Sequence, residues 1–161
     1  MEVNVVKKNR KLLLFCIVLP LAVGGISALF TSGSMDIFSQ LNQPPLTPPA
    51  FVFPLVWTIL YLLMGIASYL VISSQAPADQ IRQAALLYLL QLAVNFFWPL
   101  FFFSLGWYLF SFIWLLLLWL LILAVINQFS SIDSRAAWLM VPHLLWTTFA
   151  GYLNLAVYLL S

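Results

Sequence analysis

Charge is what this 161-residue chain has least of. Charged residues make up 6% of it, six basic and four acidic. A soluble domain carries roughly 25%, so a water-soluble fold is excluded on composition. The four acids, Glu2, Asp36, Asp79 and Asp133, all fall outside the long apolar runs, so no carboxylate is available for a proton relay inside a membrane. There is one cysteine, Cys16, and one histidine, His143. A disulfide within the chain, a CxxC pair and a metal-ligand cluster are therefore excluded, and metal is expected to play no part. No nucleophile–base pair and no phosphate-cradling glycine loop is visible. No basic surface exists to hold nucleic acid. There is no internal repeat and no low-complexity linker.

What is present is apolar. Hydrophobic residues make up 65% of the chain and its mean hydropathy is +1.09. A bilayer core about 30 Å thick takes about 20 apolar residues per helix. Five stretches qualify, 11–30, 51–72, 81–103, 107–129 and 134–160, and they consume nearly the whole sequence as one domain, 1–161. Each is continuously apolar rather than alternating, which predicts helices and not barrel strands. The fold class expected is an all-α membrane protein, a compact bundle of five transmembrane helices. The stretch 31–50, rich in proline, is expected to be a loop.

The cations give an orientation. Lys7, Lys8, Arg10 and Lys11 precede the first span, Arg82 begins the third and Arg135 the fifth. All six lie on one side, so the positive-inside rule predicts a cytoplasmic N-terminus, with the proline-rich loop and the C-terminus outside. The apolar stretch after the basic tail exceeds the roughly 7–15 residues of a signal-peptide core, so the first helix is expected to be retained. Trp107, Tyr108, Trp138 and Tyr158, near span ends, suit interface anchoring.

Polar and aromatic side chains inside the spans are the best pointers to a site. On the second span Phe53, Trp57, Tyr61, Gly65 and Ser68 share one face. On the third, Gln91 and Asn95 are four apart, with Trp98 three further on and Pro99 next. The two amides either bind across helices or serve as polar handles in a pocket. On the fifth, His143, Trp146, Thr147, Ala150 and Asn154 form a stripe beside Phe149 and Leu153, after Pro142. A haem-ligating role for His143 has little support. Gly24, Gly25, Ser27 and Ala28 on the first span read as a close-packing face.

Three strings, PPLTPPAFVFPLVWTILYLLMG (Pro44 to Gly65), LLYLLQLAVNFFWPLFF (Leu86 to Phe102) and VPHLLWTTFAGYLNLAVY (Val141 to Tyr158), resemble the translocator protein family, the tryptophan-rich sensory proteins (TspO/MBR). The resemblance covers essentially the whole chain. It implies a five-helix bundle, commonly a homodimer, with a ligand pocket under the first loop. It also implies binding of a porphyrin such as protoporphyrin IX, or another flat apolar small molecule, as ligand rather than required cofactor. The family's pocket positions match Trp57, Tyr61, Asn95, Trp146, Phe149 and Ala150 here, with Pro48, Pro49 and Phe51 in the lid and its junction. Gln91, Trp98 and His143 join them from the residue reading. The function implied is a tetrapyrrole-binding sensor or carrier in a bacterial plasma membrane. The alternatives are a light- and oxygen-dependent porphyrin-degrading enzyme, with Trp146 as the catalytic residue if there is one, and a module that binds membrane lipid or a membrane partner. The chain departs from the family pattern at Leu46, where many relatives carry a loop tryptophan. That weakens the degradation reading. It departs also at Trp114, where relatives often have an acid, and at the C-terminus. There Leu155 stands for a tyrosine and Leu159-Leu160-Ser161 supply no cation, so a cholesterol-recognition motif is not formed.

Overall fold

The computed structural model describes residues 9–161, the side chains of 35, 37 and 38 excepted; Lys7 and Lys8, used above for orientation, lie outside the described residues. Every regular element among the described residues is helical. Helix α1 spans Arg10–Thr31 and runs through a 3-10 turn, Ser32–Ser34, into the short α2, Met35–Gln40. Helices α3 (Val52–Ile72), α4 (Ala78–Pro99), α5 (Tyr108–Ser130) and α6 (Ser134–Leu160) follow, with a π-helical turn at Leu100–Ser104 closing α4.

The starts and breaks follow local chemistry. Asn9 caps α1 by accepting a hydrogen bond from the Leu12 amide at 3.2 Å, the usual service of an N-cap carbonyl. Asp133 caps α6 through the Arg135 amide at 2.9 Å and pairs with the Arg135 guanidinium at 2.7 Å. Hydrogen bonds from Arg135 hold the Asp133 carboxyl below its ordinary range. Prolines keep 44–49 non-helical. The 31–50 stretch is thus helical through Gln40 and irregular from 41 onward, the part that holds the prolines.

Among the described residues, four segments are long and apolar enough to cross a membrane: Arg10–Ser34, Val52–Ile72, Ala78–Ser104 and Tyr108–Ser130. The chain is a multi-pass membrane protein. Helix α6 is the longest, at 27 residues, but His143, Thr147, Thr148 and Asn154 make it less apolar. It completes the bundle by packing against α5 and α3.

The five long helices close a ring in the order α1, α3, α6, α5, α4, back to α1, in which the α1–α4 seam is the thinnest contact. Met64, Leu118, Ile122, Val125 and Met140 are fully buried inside, while Leu14, Phe15, Leu29, Phe30, Leu120 and Leu145 point outward. An apolar exterior this extensive fits hydrocarbon, not water. The α1–α3 crossing depends on Gly65. A Cβ there would lie 2.7 Å from both the Cys16 carbonyl oxygen and the Ile17 Cα, so the two backbones touch, as small residues permit in membrane helices.

Candidate functional site

A hollow of about 330 Å³ lies between α1, α3 and α4, toward the end of the bundle that carries the proline-rich segment. From α3 come Phe53, Trp57 and Tyr61, from α4 Asn95 and Trp98, and from its closing π-helical turn Phe103. Its size falls at the small end of the roughly 300–1,000 Å³ range of ligand pockets. The α3 side chains reach it because their spacing of four places them on one helical face.

Trp57 is the centre of the aromatic wall. Its ring centroid is 5.7 Å from that of Tyr61, 6.2 Å from Trp98 and 5.8 Å from His143. Such separations suit tilted and edge-on aromatic pairing. Gly24 of α1 makes room for Tyr61: a side chain there would collide with the phenol ring.

The polar groups of the interior divide into two kinds. Asn154 is fully engaged. Its Oδ1 accepts from Trp98 Nε1 at 3.1 Å and from Ser111 Oγ at 3.0 Å, and its Nδ2 donates to the Tyr108 carbonyl at 2.7 Å. It ties α4, α5 and α6 together, and it leaves Trp98 only a ring face to offer the hollow. Asn95 is the opposite case. It is 1% exposed and lines the hollow, yet neither its oxygen nor its nitrogen has a partner within the protein. The amide of Gln91 and both ring nitrogens of His143 are buried and unpartnered in the same way. Buried polar groups are normally hydrogen-bonded; of this set Asn95 lines the hollow, and its amide is open there to water or to a ligand.

The break in the α4 hydrogen-bond ladder beside the hollow has an identifiable cause. Pro99 has no N–H, and the Leu100 amide turns to the Phe97 carbonyl. The Phe96 carbonyl is thereby free to accept from Ser27 Oγ of α1 at 3.0 Å. A proline-broken ladder re-satisfied by a neighbouring helix is the usual membrane solution.

Of the residues singled out from sequence, Trp57, Tyr61, Asn95 and Trp98 meet at the hollow. His143 touches Trp57 from α6, and Gln91 lies fully buried, outside the lining. Trp146 stands one ring away, 6.0 Å from Phe53, with its indole N–H buried and unpartnered. Phe149 packs on Trp146 at 5.4 Å and Ala150 is buried in the α4–α5–α6 core. None of these three lines the hollow, nor do Pro48, Pro49 and Phe51. The proline-rich segment is instead tethered on the α6 side, where Tyr152 Oη donates to the Pro45 carbonyl at 2.9 Å. Leu46 is 80% exposed. Among the described residues no group of histidine, cysteine and acidic side chains could hold a metal.

On sequence, Gly24, Gly25, Ser27 and Ala28 read as a close-packing face. Gly24, Ser27, Ala28 and Thr31 line the hollow, and their spacing of three, four and seven residues was the available signal.

Known proteins resemble this chain over most of its length. A family model described as TspO/MBR family matches residues 16–160. The "Tryptophan-rich protein TspO" of Chlorobaculum tepidum is 33% identical over 146 residues, 90% of this chain and 92% of that protein. "Protein CrtK" of Rhodobacter capsulatus is 33% identical over 139 residues, covering 86% and 85%. The "Translocator protein" of Bos taurus is 33% identical over 141 residues, covering 84% and 82%.

Proposed function

The chain belongs to the TspO/MBR family, and on that premise we propose that it is a membrane-embedded tetrapyrrole-binding sensor or carrier. The observation that carries the proposal is the pairing, in one hollow, of the Trp57 ring system with an Asn95 amide that has no partner in the protein. A tetrapyrrole is flat, large and apolar, with polar edges. The indole and phenol faces of Trp57, Tyr61 and Trp98 stack on such a plane, and aromatic pairs contribute roughly 0.5–1.5 kcal/mol each beyond area burial. The Asn95 amide supplies a donor and an acceptor at the edge. No Lys or Arg lines the hollow, so carboxylates on the ligand stay at its mouth, and the affinity expected is micromolar, about −8 kcal/mol.

In this reading the cation-bearing end faces the cytoplasm of a bacterial plasma membrane and the hollow lies toward the outer side. Gly25, with open space beyond its Cα, gives α1 a flat patch for a second copy, in keeping with a homodimer.

The test is a titration of the purified protein with protoporphyrin IX, followed by tryptophan quenching and the shift of the porphyrin absorption band. Saturable binding at micromolar concentration is expected. Ala28→Trp fills the hollow from the outer turn of α1 and should abolish binding, whereas Trp146→Ala should retain most of it. Binding unaffected by Ala28→Trp overturns the assignment to this hollow.

A further inference from the structure

The opposite end of the bundle holds a second hollow, of about 140 Å³, on the α1–α4 seam. Phe15 and Cys16 of α1, Ser68 of α3, and Ala85, Tyr88 and Leu89 of α4 line it. Phe15 and Leu89 are exposed on the bundle's exterior, so it opens sideways to the bilayer. Leu19 and Leu89 line both this hollow and a shallow apolar groove of about 340 Å³ that follows the seam to Phe96 and Phe97. Hollow and groove are one continuous track along the thinnest contact of the ring.

Two features of the track are unexplained by packing. First, the Tyr88 hydroxyl is buried beside Ser68 without a partner in hydrogen-bonding geometry. The Ser68 hydroxyl gives its own hydrogen to the Gly65 carbonyl at 2.9 Å, so toward Tyr88 it can only accept, and the Tyr88 O–H does not reach it in bonding geometry. Second, positive charge gathers at the open end. Lys11 is one turn before Phe15, and Arg82 shares a face with Ala85 and Leu89. At 1.5 Å per residue these cations stand about 5–6 Å along the helix axes from the nearest residues of the hollow, at headgroup depth. The first turn of α4 adds free amides, since Pro77 provides no side-chain cap. Asp79 is the acid in the first turn of α4, and among the described residues no ion pair joins it to Arg82.

We propose that this track binds one anionic glycerophospholipid. The phosphate sits between Lys11, Arg82 and the α4 N-terminus. The Tyr88 hydroxyl donates to an ester carbonyl in the hollow, and the acyl chain lies along the seam groove toward Phe96. The depth order of cation, hydroxyl and apolar groove matches the order of phosphate, ester and hydrocarbon in such a lipid. The headgroup end of the site is at the far end of the bundle from Asn95, and the proposal does not rest on the tetrapyrrole reading.

The test is native mass spectrometry of the detergent-solubilised full chain, titrated separately with phosphatidylglycerol and phosphatidylcholine. A juxtamembrane cation is worth about fivefold toward an anionic lipid, so about 30-fold preference for phosphatidylglycerol is expected, lost in the Lys11→Gln/Arg82→Gln double variant. Tyr88→Phe should weaken phosphatidylglycerol about fivefold. Ala93→Trp, which fills the groove from an exposed position, should weaken both lipids. Equal binding of the two lipids by the unaltered protein overturns the proposal. So does a preference that survives the double variant, or binding indifferent to Ala93→Trp.

Discussion

Asn95→Leu should leave the bundle at least as stable as before while weakening porphyrin binding. Leucine is close in size to asparagine and suits the α4 helix. In the unliganded protein both amide atoms are without a protein partner at 1% exposure, and an unsatisfied buried polar atom costs about 1–3 kcal/mol. Water entering the hollow offsets part of that cost. The net effect on unfolding is therefore about zero to 2 kcal/mol of stabilisation. Binding moves the other way. A net hydrogen bond contributes about 0.5–1.5 kcal/mol, so one lost at Asn95 weakens protoporphyrin IX about 2- to 10-fold, and two lost up to about 150-fold.

The assays are thermal unfolding in detergent and the fluorescence titration on the same preparation. The combination separates two meanings of a polar residue inside a membrane helix. If Asn95 were holding helices together, the variant would unfold several degrees lower whether or not it bound ligand. Such a drop, or an unchanged porphyrin affinity, refutes the reasoning.

The sequence made the bundle legible because hydrocarbon admits few solutions: a continuous apolar stretch of about 20 residues is a helix. Polar side chains inside those stretches were legible as pointers for the same reason. What could not be read was which of them had already found each other. Trp98 and Asn154 stand on different helices, and only the ring order brings the indole N–H to the amide oxygen. Trp57 sits on the resolved side of that ambiguity, since its four-residue spacing from Phe53 and Tyr61 fixed one face. Trp146 does not: its stripe faces inward, but Phe53 stands between it and the hollow. The α1 wall was missed because glycine, serine and alanine at helical spacing look the same whether a helix or a ligand comes close. Which carbonyl a proline frees is also a tertiary fact; the Ser27–Phe96 bond appears only once α1 lies beside α4.

Gly65→Leu should prevent α1 and α3 from meeting, because the atoms a Cβ would strike are backbone; overpacking costs about 1–3 kcal/mol, and unfolding should begin several degrees lower. Leu46→Gly should raise the thermal midpoint modestly. Leu46 has φ +68 in the turn closed by the Thr47 amide on the Pro44 carbonyl at 3.2 Å, and a left-handed residue with a Cβ costs roughly 1–2 kcal/mol. A lower midpoint would mean the leucine side chain has a contact that offsets the strain. Asn154→Leu is the counterpart of Asn95→Leu: the same change, at the same 1% exposure, with the opposite sign. Here the amide has three partners, and removing it strands the Trp98 indole, the Ser111 hydroxyl and the Tyr108 carbonyl. Ser111 can recover through the Tyr108 carbonyl, 2.9 Å away, which leaves the indole N–H uncompensated inside the bundle. The loss expected is about 2–4 kcal/mol, read as a fall in the unfolding midpoint with the helical content unchanged. Because Trp98 also lines the hollow, its released ring should loosen porphyrin binding as a secondary effect. Were the two asparagine variants equally stable, the distinction between engaged and unpartnered amides, on which the assignment of the hollow depends, would be lost.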